Sequence, residues 1–294
     1  MSGPRPTAAR RSPAPTRTSP AATTAVAFAA LVGLFLGLPV AVLMGRALVG
    51  GGVGAALGAA AVVDALALSL ATTSASLVVT VALGTPLAWL LARRRFPGSA
   101  LVETIVDLPI VLPPSVAGLA LLLVFGRRGL LGEPLETVGL EIAFTMFAVV
   151  LAQTFVAAPF YIRSARAGFA AVDADLEDAA RVDGADDVGV ARHVTLPLAG
   201  AALAAGLVMS WARALGEFGA TILFAGNLEG LTQTLPLAVY AEFQAGDLDA
   251  AIAAAAILVA AAFGVLVAVR SLHWGRALDL RSAGRLAGGS PPTR

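Results

Sequence analysis

The chain has 294 residues, 58% of them apolar and only 13% charged, against about 25% charged in a soluble domain, so it reads as an integral membrane protein. A formal net charge of +1 gives no sign of nucleic acid binding, and the absence of cysteine excludes thiol catalysis, disulfides and thiolate metal sites. His193 and His273 form no ligand cluster for a metal, and no cofactor is expected. All 20 basic residues are arginine, which excludes a phosphate-binding loop, whose lysine must reach the nucleotide phosphates. Any ATP hydrolysis driving this chain would therefore take place on a separate polypeptide.

In chain order, residues 1–23 are rich in Pro, Ala, Ser, Thr and Arg without apolar periodicity, and are expected to form a disordered cytoplasmic tail. The apolar run 24–48 is longer than the 7–15-residue core of a cleavable signal peptide, which predicts a retained first helix. Five more spans are expected at about 67–91, 104–125, 142–162, 199–224 and 250–270, each near the ~20 residues that cross a bilayer core. Pro39, Pro86, Pro109, Pro113, Pro114 and Pro159 fall within these spans and predict kinks whose freed carbonyls neighbouring helices satisfy. In the loop 225–249, which has no basic residue, Thr232 or Thr234 can cap a short helix with Pro236 in its first turn. Asp247 or Asp249 can cap the last span.

Arginine placement orients the spans. The N-terminal tail, Arg93 to Arg95, the segment 163–192 and the C-terminal end hold all but four of the 20 arginines. Arg46, Arg127 and Arg128 fall on the other side, and Arg213 within a span. The bias predicts both termini in the cytoplasm, with a transmembrane domain over 24–272 and a cytoplasmic tail over 273–294.

Ionisable residues inside a span are costly and are functional candidates. Arg213 and Glu217 stand four apart, neighbours on one helix face. Three readings are open: a structural ion pair, part of a gate or anion path, or a Glu217 that reaches water without meeting Arg213. Asp107, near the cytoplasmic end of the third span, either reaches water or takes Glu217 as companion in acid–base work.

Between the fourth and fifth spans, the polar segment at about 172–197 contains Asp178-Ala179-Ala180-Arg181-Val182-Asp183-Gly184 and, nine residues on, Val194-Thr195-Leu196-Pro197. It reads as a short amphipathic helix, with Asp175, Glu177 and Asp178 at its positive end and Gly184 as the terminating turn. A new helix is expected to begin at Pro197. A surface loop contacting nothing is the alternative. The two spacings resemble the cytoplasmic loop of ABC importer permeases: Glu-Ala-Ala, three residues, Gly, nine residues, Ile-x-Leu-Pro. Asp178 replaces the Glu and Val194 the Ile. In that family the element docks into a cleft on the ATPase subunit and transmits its movement, a role the resemblance assigns to Glu177, Asp178, Ala179, Ala180, Gly184, Leu196 and Pro197.

Arg213 to Gly219 with Ala220 to Asn227 resembles the oxyanion branch of these permeases, sulfate and molybdate alike, and Thr232 to Tyr240 looks more like molybdate or tungstate permeases. The resemblance covers roughly 60–270. It implies an all-α integral membrane protein of about six transmembrane helices, with the fold of a type I ABC importer permease. It also implies a homodimer working with two copies of an ATPase and an extracytoplasmic oxyanion-binding protein. The substrate it implies is a tetrahedral oxyanion: molybdate, or alternatively tungstate, sulfate or thiosulfate. Asp107, Arg213, Glu217, Thr232 and Thr234 become the candidates for a pathway or gate. Two rival classes fare worse. A membrane-embedded hydrolase using Asp107 and Glu217 lacks clustered nucleophile and metal ligands, and an ion-driven secondary transporter would carry an inverted repeat that the sequence does not display.

Overall fold

The computed structural model describes residues 20–287, with side chains from 24 to 267. The tail expected over 1–23 lies outside the described residues but for its last four. Those belong to α1 (Pro20–Val49), a mostly apolar helix with Pro39 inside it and Arg46 in its last turn. One compact unit ends at Arg46 and a second takes up the chain from Ala47. In the second, α2 (Gly52–Gly58), α3 (Ala60–Arg93), α4 (Ser99–Val111), α5 (Pro114–Phe125), α6 (Gly132–Thr137) and α7 (Met146–Ala170) precede the polar segment. That segment forms α8 (Ala174–Val182), α9 (Asp187–Val190) and a π-helical turn (Ala191–Thr195). It is followed by α10 (Leu196–Leu215), α11 (Gly219–Phe224), α12 (Leu235–Gln244) and α13 (Leu248–Ala287). Every regular element among the described residues is helical. The tail expected from 273 is helical as far as Ala287, and 288–294 lie outside the described residues.

Five helical stretches are long and apolar enough to cross a membrane, and α4 with α5 makes a sixth if counted as one broken span. The third span, expected over 104–125 with kinks at its prolines, is a pair of helices: the chain bends by 118° between α4 and α5. Pro39, Pro86, Pro109 and Pro159 all remain inside helices, so a single proline does not account for the break. Pro113-Pro114 does, because a residue before proline is driven out of the helical region. Here two successive residues are so placed, and both Leu112 (ψ 132°) and Pro113 (ψ 135°) are extended. Pro114 then starts α5, where its missing N–H costs nothing.

The fifth span is corrected at both ends. Its helix runs unbroken from Asp187 to Leu215 and stops at Gly216, leaving 219–224 as a separate helix. Pro197 lies in the first turn of α10, as expected, but that helix continues without a break from the π turn before it. Proline cannot donate to the carbonyl four residues back and crowds it, and a widened turn absorbs that misfit.

Helix α7 is the central post. Its Ala148–Val156 half packs with Ala117 and Leu121 of α5 and Phe224 of α11, and its Tyr161–Phe169 half with Ala88 of α3 and Ala199 of α10. A third cluster joins α3 to α12 and α13 through Val62, Leu235, Ala238, Ala253 and Ile257. Small residues permit the close approach: a Cβ on Gly206 of α10 would stand 2.8 Å from the Cβ of Ser164 on α7. The middle of the buried face of α3 is a stripe of hydroxyls, Ser69, Thr72, Thr73, Ser76 and Thr80. Gln153 and Thr154 of α7 meet it, on Thr73 (3.4 Å) and Ser76 (3.1 Å).

Candidate functional site

Helix α8 is set by its ends. The Asp173 carboxylate accepts from the Asp175 N–H (3.0 Å), with Asp175 and Glu177 in the positive first turn. At the other end Gly184 takes φ +95°, its N–H donates to the Arg181 carbonyl (3.0 Å), and the Ala185 N–H donates to the Ala180 carbonyl (3.0 Å). This paired closure needs a left-handed residue at Gly184, as the sequence predicts. Asp186 caps α9 through the Gly189 N–H (2.8 Å), and Arg181 reaches Asp178 (2.8 Å) and Asp187 (3.5 Å), tying α8 loosely to α9 at the surface.

The motif residues divide by exposure. Asp178, Ala179, Gly184, Leu196 and Pro197 are exposed and Ala180 is half-buried, whereas Glu177 is buried. Its Oε1 accepts from Arg93 Nη2 (2.7 Å) at the end of α3 and from Thr195 Oγ1 (2.7 Å) in the π turn. Glu177 thus faces the bundle instead of a partner. Sequence reasoning also passed over three apolar side chains that share the open surface, Leu176, Val182 and Val188, with Val182 87% exposed. Their signal was the alternation of apolar and acidic residues along 175–188.

The structure brings Arg213 and Glu217 together, though across the break after α10 and not along one continuous helix. Arg213 Nη1 lies 2.6 Å from Glu217 Oε2 as an ion contact poorly aligned for a hydrogen bond. The other oxygen accepts from the Ala220 N–H (2.7 Å) and so caps α11. The carboxylate is 1% exposed and the arginine side chain 28%. A Phe218–Tyr240 ring contact, centroids 5.0 Å apart, ties the same break to α12.

Asp107 is placed elsewhere. It is half-exposed, 3.5 Å from Arg163, one turn along from a Glu103–Arg166 pair (3.0 Å), so two ion pairs join α4 to α7. Asp107 and Glu217 are thus held by different arginines, and no ion pair or hydrogen bond among the described residues joins them.

The expected side-chain caps of α12 are corrected. Thr232 Oγ1 accepts from the Leu228 N–H (3.1 Å) and closes the turn before the helix. Thr234 occupies the N-cap position with Pro236 in the first turn, but its buried hydroxyl has no partner. The Leu235 N–H donates instead to Ser69 Oγ of α3 (2.7 Å), a cap supplied from across the bundle. Asp247 does cap α13, through the Ala250 N–H (2.9 Å).

Residues 84–274 match the family described as binding-protein-dependent transport system inner membrane component. The molybdenum transport system permease protein ModB of Mycobacterium tuberculosis is 46% identical over 205 residues, 70% of this chain and 77% of that one. ModB of Escherichia coli K12 is 42% identical over 182 residues, 62% and 80% of the two chains. Among solved structures, a bacterial ABC transporter that imports the acidic polysaccharide alginate superposes with a TM-score of 0.66 at 18% identity. The match covers 87% of this chain and 95% of that one, a likeness of fold. The chain belongs to the family of binding-protein-dependent transport system inner membrane components, the permeases of ABC importers.

Proposed function

We propose that this chain is the membrane-spanning subunit of an ATP-driven importer for molybdate, without a nucleotide-binding domain of its own. It works as a homodimer in the cytoplasmic membrane, with both termini inside, an ATPase on the cytoplasmic face and an extracytoplasmic oxyanion-binding protein opposite. The observation that carries this reading is the likeness to molybdenum permeases at 42–46% identity over most of their length. The exposed surface of α8 and α9, with Asp178, Ala179, Ala180, Gly184, Leu176, Val182 and Val188, then Leu196 and Pro197, supplies a docking face for the ATPase. Arg213 and Glu217 border the anion path, with Thr232 and Thr234 beyond them. A guanidinium is suited to an oxyanion, and the carboxylate opposite neutralises it. The permease therefore passes the anion without trapping it, and selection rests with the binding protein. Asp107 serves the α4–α7 contact. The test is uptake of molybdate by cells with and without the chain. Uptake that depends on the chain and on ATP is expected, and uptake unaffected by its deletion rules the assignment out.

A further inference from the structure

We propose that Thr195, held by Glu177, is a positioning residue that carries displacement of α8 into α10, so that the stroke from the ATPase passes through a buried hydrogen bond. The proposal rests on the reading above that the α8 surface is where the ATPase docks.

The first observation is a shared acceptor. A single oxygen, Glu177 Oε1, takes 2.7 Å bonds from Arg93 and from Thr195, joining the last turn of α3, α8 and the π turn. Charge-assisted bonds of this kind are short and strong, and burial of Glu177 and Thr195 keeps water from competing. Among the described residues, α8 side chains reach the membrane-length helices by hydrogen bond only through Glu177. The exposed Arg181 pairs with Asp178 within α8 and, at 3.5 Å, with Asp187 at the start of the helix that leads into α10, where water and salt screen the contact.

The second observation is what lies on either side of Thr195. Thr195 is the last residue of the π turn, which leads without interruption into α10. Such turns are locally over-wide and are frequent at functional sites. Beside it opens a mostly apolar cavity of about 220 Å³, lined by Pro86, Trp89, Phe169, Ala191 and Leu196 together with Thr195. A tightly packed helix end would resist displacement, whereas this one is tethered on one side and has room on the other. Arg93 Nε is buried without an acceptor, so the guanidinium keeps a spare donor as the carboxylate shifts.

The test uses the complete complex of permease, ATPase and molybdate-loaded binding protein in liposomes. Thr195→Val preserves volume and the Arg93–Glu177 pair and removes only the donor. The ATPase should still copurify and hydrolyse ATP at its basal rate. Stimulation by the loaded binding protein, and molybdate imported per ATP, should each fall at least ~5-fold, the lower end of typical coupling between sites. Thr195→Ser should restore both, and Thr195→Ala gives a second reading of the same loss should the valine variant fail to insert. Wild-type stimulation in the valine or alanine variant overturns the proposal. So does loss of the ATPase from the variant complex, which would put the threonine in shaping the docking face. A wild-type chain that never binds an ATPase would sink the docking reading itself, and this proposal with it.

Discussion

Glu217 meets Arg213 with one oxygen and the Ala220 N–H with the other, at 1% exposure. Removing one member of such a pair strands a charge in low dielectric, at about 3–5 kcal/mol. Arg213→Gln and Glu217→Gln are each expected to lower the thermal midpoint in detergent, with the double substitution recovering part of the loss. Strict additivity in that cycle would show that the two do not interact. At Ser69 the stake is smaller. Ser69→Ala leaves the buried Leu235 N–H without its acceptor, an expected loss of about 1–3 kcal/mol, and an unchanged midpoint would show that water replaces the hydroxyl. The pairing was one of three readings the sequence left open, raised by four-residue spacing and the cost of charge in lipid, though the contact forms across the helix break at Gly216. Ser69 was not legible, because its partner lies 166 residues away.

Among the elements, α8 was the most legible, since its acidic first turn and terminal glycine are both written within a dozen residues. Gly184→Val tests this: φ +95° is strained for a β-branched residue by about 1–2 kcal/mol. The variant is expected to insert normally while losing ATPase coupling. Normal molybdate uptake by a well-expressed variant would show that the closure of α8 is dispensable. The α4–α5 break and the end of α10 were less legible. A proline reads as a kink, and only the tandem at 113–114 makes two consecutive residues extended. At 216–218 no proline marks the break, and the lone glycine there is tolerated within many helices. Glu177 shows the same limit. Its charge at the start of α8 was readable, but its direction depends on Arg93 and Thr195, which only the tertiary fold brings near.

At the scale of the whole importer, selectivity can be tested by competition. The segment between α11 and α13 has no arginine or lysine to gather free anions, and Arg213 is neutralised by Glu217. Sulfate in large excess should therefore scarcely reduce molybdate uptake by the complete system, while the permease alone should bind either anion weakly. Displacement by sulfate at comparable concentration would leave an oxyanion importer of broader range. The cap that α3 supplies to α12 also bears on biogenesis. A ribosome delivers Ser69 long before Leu235, and α7 arrives in between to meet Thr73 and Ser76. Until α12 follows, a nascent chain holds Ser69 in the bilayer without its final partner. A product terminated before residue 235 keeps Ser69 without its Leu235 partner, and its α3 without that tie to α12.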